Sequence, residues 1–320
     1  MMLTRSALVF SAACAGIAPL VSASGPVMAA GDSAPKASRV FTVESMRVER
    51  YGTGSPAMIF VPGLACGSWL WDDAVKTYAG KHAVYTVTLA GFDGLPAQNG
   101  AALDAADTSL LKLIDAEKLV RPIVVGHSLG GYLALRLGTE HPGLVRGIVS
   151  VDGTPVFPPF AQMTADQRGA AADRISDQMR AATPEQYAAS QAQTIATMVT
   201  AADDGKRVAT RASTSDRKAV AAYASDLFRA DLRPELVKLT VPTLEIAPVP
   251  MTPAPYEGPQ AATASMTDRQ AGYKQFYGSL FAGAPQLTIV TVPNSKHFVM
   301  VDQPKALFDA ITSFVGALPA

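Results

Sequence analysis

From about Phe41 onward, the spacing of apolar and polar residues alternates between two patterns. Short β-branched runs bounded by Gly, Pro or Asp are typical of buried strands, and apolar residues three or four positions apart are typical of helices. The predicted strands are a hairpin at 41–51 and single runs at 57–61, 83–89, 123–125, 147–151, 240–246 and 286–292. The predicted helices among them are 69–78, 104–118, 132–138 and 304–316. This alternation predicts a mostly parallel, doubly wound α/β sheet covered on both faces.

The alternation stops after Val151. Residues 157–235 contain no strand-like run, and their helical candidates are 165–181, 184–200 and 216–228. We therefore expect a helical cap, or lid, at 157–235, inserted into an α/β core formed by 41–156 and 236–320. A later segment, 247–267, is rich in Pro, Gly, Ala and Met and is long for a connection between regular elements. Such segments are usually functional or disordered.

Composition narrows the class of partner. The chain has 320 residues, of which 48% are hydrophobic and 17% charged, and its net charge is zero. That length suits one α/β domain with an insertion. The balanced charge leaves no basic footprint for nucleic acid, and no Lys/Arg block is present for anionic lipid. We therefore expect a small-molecule partner, no nucleic acid and no stable membrane insertion, with the oligomeric state left open.

The first 29 residues have the layout of a signal peptide. Arg5 precedes an apolar run at 7–21, and small-residue cleavage options follow at 21–23 and 27–29. We expect export to the periplasm or the medium, with 30–40 as a flexible N-terminal segment. Cys66 would then be the only cysteine, so no intramolecular disulfide can form. We interpret Cys66 as a small packed residue rather than a reactive thiol.

The strongest chemical signal is the sequence IVVGHSLGG at 123–131. It contains G-x-S-x-G, formed by Gly126, Ser128 and Gly130, with a predicted strand before it and a predicted helix after it. In that setting the pattern is a nucleophile elbow. Glycines allow the tight, strained turn, and the N–H groups of the helix start favour developing negative charge. The sequence therefore predicts Ser128 as a nucleophile.

A serine hydroxyl needs a neighbouring base to accept its proton. Of the four histidines, His297 alone follows the last predicted strand, on a loop at the carboxyl edge of the sheet. His127 lies inside the elbow, where we expect its side chain to point away from the serine. His82 precedes a strand at the opposite edge, and we interpret His141 as a capping residue after the elbow helix. His297 is therefore the predicted base.

These motifs resemble those of the α/β-hydrolase-fold serine hydrolases. The resemblance rests on VPGL at 61–64, GHSLGG at 126–131 and NSKH at 294–297, and it covers about 41–318. It implies an oxyanion hole formed by the N–H of Leu129 with that of Leu64 or Ala65, although proline stands where the family usually has histidine. Nucleotide, dinucleotide and zinc-protease motifs are missing from the sequence, so we expect no cofactor and no metal.

The acid of the triad has two possible places in this fold. Most relatives carry it after the strand here at 240–246, but this chain has no acid there and reads PVPMT at 248–252. Some relatives, including certain dehalogenases and lactonases, carry it after the strand that follows the nucleophile helix. Asp152 stands at that point. We therefore expect Asp152 to be the acid, with Asp268, Glu257 or no acid as alternatives.

The expected function is cofactor-free hydrolysis of a carboxylic ester or lactone through an acyl-enzyme on Ser128. The candidates for an apolar substrate pocket are Phe157, Phe160, Met163 and Met251. Their alternative interpretation is packing beneath the cap. Two other functions stay open. One is perhydrolysis or carbon–carbon bond cleavage, which the same triad supports in relatives. The other is ligand binding or sensing by a protein with a slow triad.

Overall fold

The computed structural model of the protein describes residues 36–98, 100–253 and 263–319. The expected signal peptide at 1–29 lies outside this range. The strands are β1 (Arg39–Val43), β2 (Met46–Tyr51), β3 (Met58–Val61), β4 (Val84–Thr88), β5 (Ile123–His127), β6 (Gly147–Val151), β7 (Thr243–Val249) and β8 (Leu287–Pro293). They form one sheet in the order β1-β2-β4-β3-β5-β6-β7-β8.

The sheet is mostly parallel, as the sequence predicts. Only β1–β2 and β2–β4 pair in the antiparallel sense, and the other neighbours are parallel. Every residue of the central strands β5 and β6 is buried, as expected for β-branched runs covered on both faces. One boundary differs from the expectation. Because β1 begins at Arg39, residues 39–40 belong to the sheet rather than to the flexible segment expected at 30–40.

Helices cover the sheet. Those of the described residues are α1 (Asp72–Tyr78), α2 (Ala102–Ala116), α3 (Leu129–Glu140), α4 (Ala165–Ala181), α5 (Pro184–Met198), α6 (Ala202–Ala212), α7 (Arg217–Arg229), α8 (Met266–Leu280), α9 (Val299–Asp302) and α10 (Pro304–Ala317). α3 packs on β5 and β6, α8 on β7 and β8, and α10 on the same two strands. None of these helices combines the length and apolar character that crossing a membrane requires.

A helical insertion, α4–α7, separates β6 from β7. Within it α4 packs on α7, and α5 packs on α6. α4 and α5 each begin with a capping box, Thr164 with Gln167 and Thr183 with Gln186, which satisfies N–H groups at the helix start. The insertion is tied to the loop after β3, because Ser215 Oγ donates a hydrogen bond to the carbonyl of Ala65 at 2.9 Å. The insertion therefore meets the core at the carboxyl edge of the sheet.

Candidate active site

Ser128 lies in the sharp turn between β5 and α3. Its backbone adopts φ 52° and ψ −115°, a strained conformation for a residue with a side chain. The turn requires glycine, which has no Cβ, at two positions. A Cβ at Gly126 would lie 2.0 Å from the Gly130 carbonyl oxygen, and one at Gly130 would lie 2.3 Å from the Val61 carbonyl oxygen. The backbones of β5, the start of α3 and the end of β3 are thus in close contact. Ser128 lies at the carboxyl edge of the sheet.

Asp152 and His297 come together at the same edge. Asp152 follows β6, His297 follows β8, and His297 Nδ1 lies 2.6 Å from Asp152 Oδ2. Both side chains are partly buried, with 17% of Asp152 and 23% of His297 exposed. Among the described residues, Ser128 Oγ makes no hydrogen bond, and bonds to a catalytic base often form only when substrate is present. The other ring nitrogen of His297 is therefore the one available to a substrate or to Ser128.

Of the two alternative acids, Asp268 bonds to Ser265 and Glu257 is not described. Asp268 lies in the first turn of α8, where its carboxylate accepts a hydrogen bond from Ser265 Oγ at 2.7 Å and its N–H donates back to that oxygen at 3.2 Å. It is an exposed helix-capping residue. Glu257 lies outside the described residues.

Tyr277 also contacts Asp152, and sequence reasoning missed it. This tyrosine lies on α8, is 5% exposed and donates a hydrogen bond from its hydroxyl to Asp152 Oδ1. Each oxygen of the carboxylate therefore has its own partner, Tyr277 on one side and His297 on the other. A single tyrosine on an unpredicted helix carries no motif that would have identified it.

The side chain of His127 contacts His297, the predicted base, although the sequence did not predict this contact. Its ring lies 4.5 Å from the ring of His297, and Nε2 donates a hydrogen bond to the His297 carbonyl oxygen at 3.0 Å. Burial, with a contribution from His297, lowers the pKa of His127 well below its usual value. The ring is therefore neutral, with its proton on Nε2, and holds the backbone of His297.

Glu245 is a fully buried carboxyl group behind the pair. It lies on β7 directly opposite Ser150 of β6, and neither of its carboxyl oxygens has a hydrogen-bond partner within the described structure. Ser150 Oγ instead bonds the Gly153 carbonyl at 2.5 Å. Burial first, and then the neighbouring charge of Asp152, raise the pKa of Glu245 well above its ordinary value. Burial therefore favours the protonated form of the Glu245 carboxyl.

The loop after β3 lies beside the nucleophile, because a Cβ at Gly63 would lie 3.3 Å from Ser128 Cβ. Ala65 adopts φ 61°, and the Cys66 N–H donates to the Gly63 carbonyl at 3.1 Å, which closes a turn. In the part of the chain described, the N–H groups of Leu64 and Leu129 donate to no protein acceptor. That of Leu129 is free because it opens α3, where no preceding turn supplies a carbonyl. These are the groups expected to form the oxyanion hole, and that role stays a prediction.

The four apolar candidates occupy different surroundings. Phe157 and Phe160 pack with Phe228 of α7, with ring centroids 4.3 Å and 5.7 Å from it. Met163 is half-buried at the start of the insertion, whereas Met251 is 67% exposed beyond β7. The two phenylalanines thus pack the segment that follows β6 against α7. A role for any of the four in substrate binding stays a prediction.

The remaining histidines lie away from this edge. His82 Nδ1 is 2.8 Å from the Pro56 carbonyl oxygen. His141 ends α3, and its possible ligand atom lies within 4.8 Å of those of Asp107 and Glu140, the one such group among the described residues. Arg136 Nε already bonds Glu140 at 3.0 Å. The group stands at the end of α3 opposite Ser128, so it does not belong to the candidate site.

Comparison with known proteins agrees with this architecture. A sequence profile described as "Alpha/beta hydrolase family" matches residues 58–310. The chain is 27% identical over 279 residues to the sn-1-specific diacylglycerol lipase ABHD11 of Mus musculus, covering 82% of this chain and 81% of that protein. It is 24% identical over 278 residues to the 2-(acetamidomethylene)succinate hydrolase of Mesorhizobium japonicum, covering 85% and 92%.

Solved structures agree at the level of the fold. The enol-lactonase from Burkholderia xenovorans has a TM-score of 0.65 and 16% identity, covering 87% of this chain and all of that one. An esterase from Thermogutta terrifontis has a TM-score of 0.68 and 18% identity, covering 87% and 98%. At these identities the likeness concerns the path of the backbone.

Proposed function

Because the chain belongs to the alpha/beta hydrolase family, we propose that it is a serine hydrolase that cleaves a carboxylic ester or a lactone. The observation that carries the proposal is the 2.6 Å contact between His297 Nδ1 and Asp152 Oδ2 at the sheet edge that bears Ser128. An acid, a base and a strained serine at one edge are the groups that acyl transfer needs. The named activities of the lipase and the lactonase above support the same class of substrate.

In the first half of the reaction, Ser128 Oγ attacks the acyl carbonyl while His297 Nε2 accepts the hydroxyl proton. Asp152 accepts the Nδ1–H bond and stabilises the imidazolium that forms. The developing oxyanion accepts hydrogen bonds from the N–H groups of Leu129 and Leu64. Collapse of the tetrahedral intermediate breaks the ester bond, and the proton on His297 passes to the leaving alkoxide.

In the second half, water attacks the acyl-enzyme and gives its proton to His297. Collapse of the second intermediate returns that proton to Ser128 Oγ and releases a carboxylic acid. An ester therefore gives an acid and an alcohol, whereas a lactone gives one hydroxy acid. A perhydrolase or a carbon–carbon hydrolase would use the same groups with another nucleophile or another leaving group. A sensor would complete the second half only slowly.

Labelling and mutation together test the proposal. A fluorophosphonate probe should modify Ser128, as mapped by peptide mass spectrometry. Ser128→Ala and His297→Ala should each lower kcat on aryl esters and lactones by several powers of ten, and the double variant should be little worse because the two act as a unit. Both should remain folded, because the side chains are only partly buried.

Ser279→Ala, a change at an exposed serine on α8, is the matched control and should keep full activity. Retention of more than about a tenth of the activity by Ser128→Ala would contradict the assignment of the nucleophile. Additive losses in the double variant would mean that Ser128 and His297 do not cooperate. Labelling of Ser128 with turnover near zero on every ester and lactone would favour the sensor.

A further inference from the structure

The end of helix α5, within the helical insertion, and the loop that carries His297 are hydrogen-bonded to each other. α5 ends at Met198, whose carbonyl oxygen accepts the N–H of Phe298 at 3.3 Å. The next carbonyl, of Val199, accepts a hydrogen bond from Lys296 Nζ at 3.1 Å. Lys296 and Phe298 flank His297 in the sequence. The residues on both sides of the predicted base are therefore attached to the insertion.

One carboxylate completes this connection. Asp302, the last residue of α9, accepts the Thr200 N–H on Oδ1 at 2.8 Å and the Thr200 hydroxyl on Oδ2 at 2.8 Å. The same Oδ2 accepts the N–H of Lys296 at 2.7 Å. Hydrogen bonds to a charged acceptor are stronger than those between neutral groups. Asp302 thus holds the insertion and the residue before His297 with a single charged group.

Asp302 makes more hydrogen bonds than are needed to hold its own loop. An aspartate that only closed the turn from Lys296 to α9 would need one acceptor for the Lys296 N–H. Asp302 accepts its other two hydrogen bonds from Thr200, which is 102 residues away in the chain. His127 holds the His297 carbonyl from the sheet side. The base is thus fixed from the core by His127 and from the insertion through its two neighbours.

We propose that Asp302 is a positioning residue that joins residues 198–200 of the insertion to the His297 loop, so that His297 is held in its reactive position only while the end of α5 is seated. This inference rests on the proposed hydrolase function. A movement of the insertion that admits substrate would also displace Lys296 and Phe298, and with them His297. Proton transfer would then be efficient only after the insertion returns.

Kinetics provide the first test. Asp302→Ala removes all three bonds, and Thr200→Val removes the hydroxyl while keeping the side-chain shape. Because small displacements of a catalytic group are costly, Asp302→Ala should lower kcat by about tenfold to a hundredfold with a smaller change in KM. Thr200→Val should lower kcat less, and it should add almost nothing in the Asp302→Ala background, since the two residues share one network.

Matched controls use the same chemical changes at exposed sites. Asp309→Ala breaks the exposed ion pair with Lys305 on α10, and Thr197→Val removes a hydroxyl that donates to the Thr194 carbonyl. Both should keep the wild-type kcat. Unchanged kcat in Asp302→Ala, or a loss that is fully additive with Thr200→Val, would overturn the proposal.

Amide hydrogen exchange provides a second test that needs no substrate. In Asp302→Ala, exchange should accelerate at the N–H groups of Thr200, Lys296 and Phe298 while the strands keep their protection. Faster exchange at Lys296 alone would make Asp302 a local loop residue and overturn the proposal. If the wild-type protein hydrolyses no ester or lactone, the proposed function fails, and the exchange at Thr200 and Phe298 still decides whether the connection exists.

Discussion

At the scale of single residues, the carboxylate of Asp152 is held in place by hydrogen bonds to both of its oxygens. Its two oxygens have separate donors, His297 Nδ1 and the Tyr277 hydroxyl. Its backbone N–H donates to the Ile246 carbonyl at 3.0 Å, which ties the turn after β6 to β7. The side chain is therefore fixed in direction before any substrate binds.

Asp152→Asn should leave the fold intact and lower kcat by up to about 10⁴, because the amide favours the wrong tautomer of His297. The measurement is kcat on the ester that the wild-type protein hydrolyses best, with circular dichroism as the check on folding. Asp268→Asn, at the start of α8, should have little effect on kcat. A large loss of kcat in Asp268→Asn, together with an active Asp152→Asn, would identify Asp268 as the acid instead.

We expect Glu245 to make the free energy of unfolding depend on pH. Its pKa in the folded state is raised, so the folded protein holds a proton that the unfolded chain releases above the ordinary value of 4.5. Stability is therefore full below that value and falls as pH rises toward the folded-state pKa, by up to about 1.4 kcal/mol per pH unit. Glu245→Gln, which cannot ionise, should lose this dependence.

Urea unfolding at a series of pH values measures this effect. Glu245→Gln and the wild-type protein should differ by a constant amount at acid pH, and the variant should become relatively more stable toward neutral and alkaline pH. A difference that stays flat over the whole range would mean that Glu245 ionises normally in the fold.

The candidate residues could be predicted where position along the chain determines chemistry. Ser128, Asp152 and His297 each follow a strand, and the carboxyl ends of parallel strands share one edge. The roles of Tyr277 and Glu245 depend on which strands and helices are neighbours and on their register. These facts are settled by packing between segments more than 90 residues apart in the chain, so no local pattern reveals them.

At the scale of elements, α8 contributes to the site although it follows the long segment after β7. It packs on β7 and β8 and directs Tyr277 toward the turn after β6. Removing that one hydroxyl isolates the contribution of the helix to the site. It leaves the rest of the helix, including the Ser265 cap, unchanged.

Tyr277→Phe should lower kcat by about tenfold, because a hydrogen bond to a charged acceptor is lost and Asp152 gains rotational freedom. Steady-state kinetics on the same ester measure it. Tyr187→Phe is a fitting control, since the Tyr187 hydroxyl is buried and has no hydrogen-bond partner within the described structure. Equal kcat for Tyr277→Phe and the wild-type protein would show that Asp152 is held adequately by its backbone and by His297.

Strands were easier to predict than helices. Every predicted strand is present, with ends that differ by three residues or fewer, because buried parallel strands read as continuous β-branched runs. The helices α6, α8 and α9 were missed. α8 buries Arg269 along with Tyr273, Tyr277 and Leu280, so its inward face is not purely apolar. α9 has only four residues, too few to show a helical period.

At the scale of the whole molecule, the insertion touches both loops that border the nucleophile. Ser215 bonds the Ala65 carbonyl beside the expected oxyanion hole, and Thr200 bonds Asp302 beside the His297 loop. The insertion is therefore placed to influence the position of the oxyanion donors as well as that of the base.

Export is a separate prediction for the whole chain. The layout of residues 1–29 leads us to expect removal of this segment on secretion. When the full chain is expressed in a bacterium, N-terminal sequencing of the protein from the periplasm or medium should begin at Ala30, or at Ser24 if the earlier option is used. Recovery of the uncleaved chain from the cytoplasm alone would contradict the prediction.

Cys66 is a free cysteine, and the described residues include no second one with which it could form a disulfide. Its side chain is 1% exposed, and burial raises the pKa of its thiol to about 12. Such a thiol reacts slowly with oxidants and alkylating reagents. The stability of the described domain therefore comes from its packed sheet and helices, in either redox compartment.

The backbone crowding around the elbow has a consequence for how this protein can diversify. At Gly126 and Gly130 even one added methyl group would meet carbonyl oxygens of neighbouring segments, with no flexible atom able to give way. A saturation library should therefore be almost empty at these two positions and permissive on the exposed faces of α4 and α5. New specificities, whether reached by natural drift or by directed evolution, should accumulate in the insertion while the elbow stays fixed.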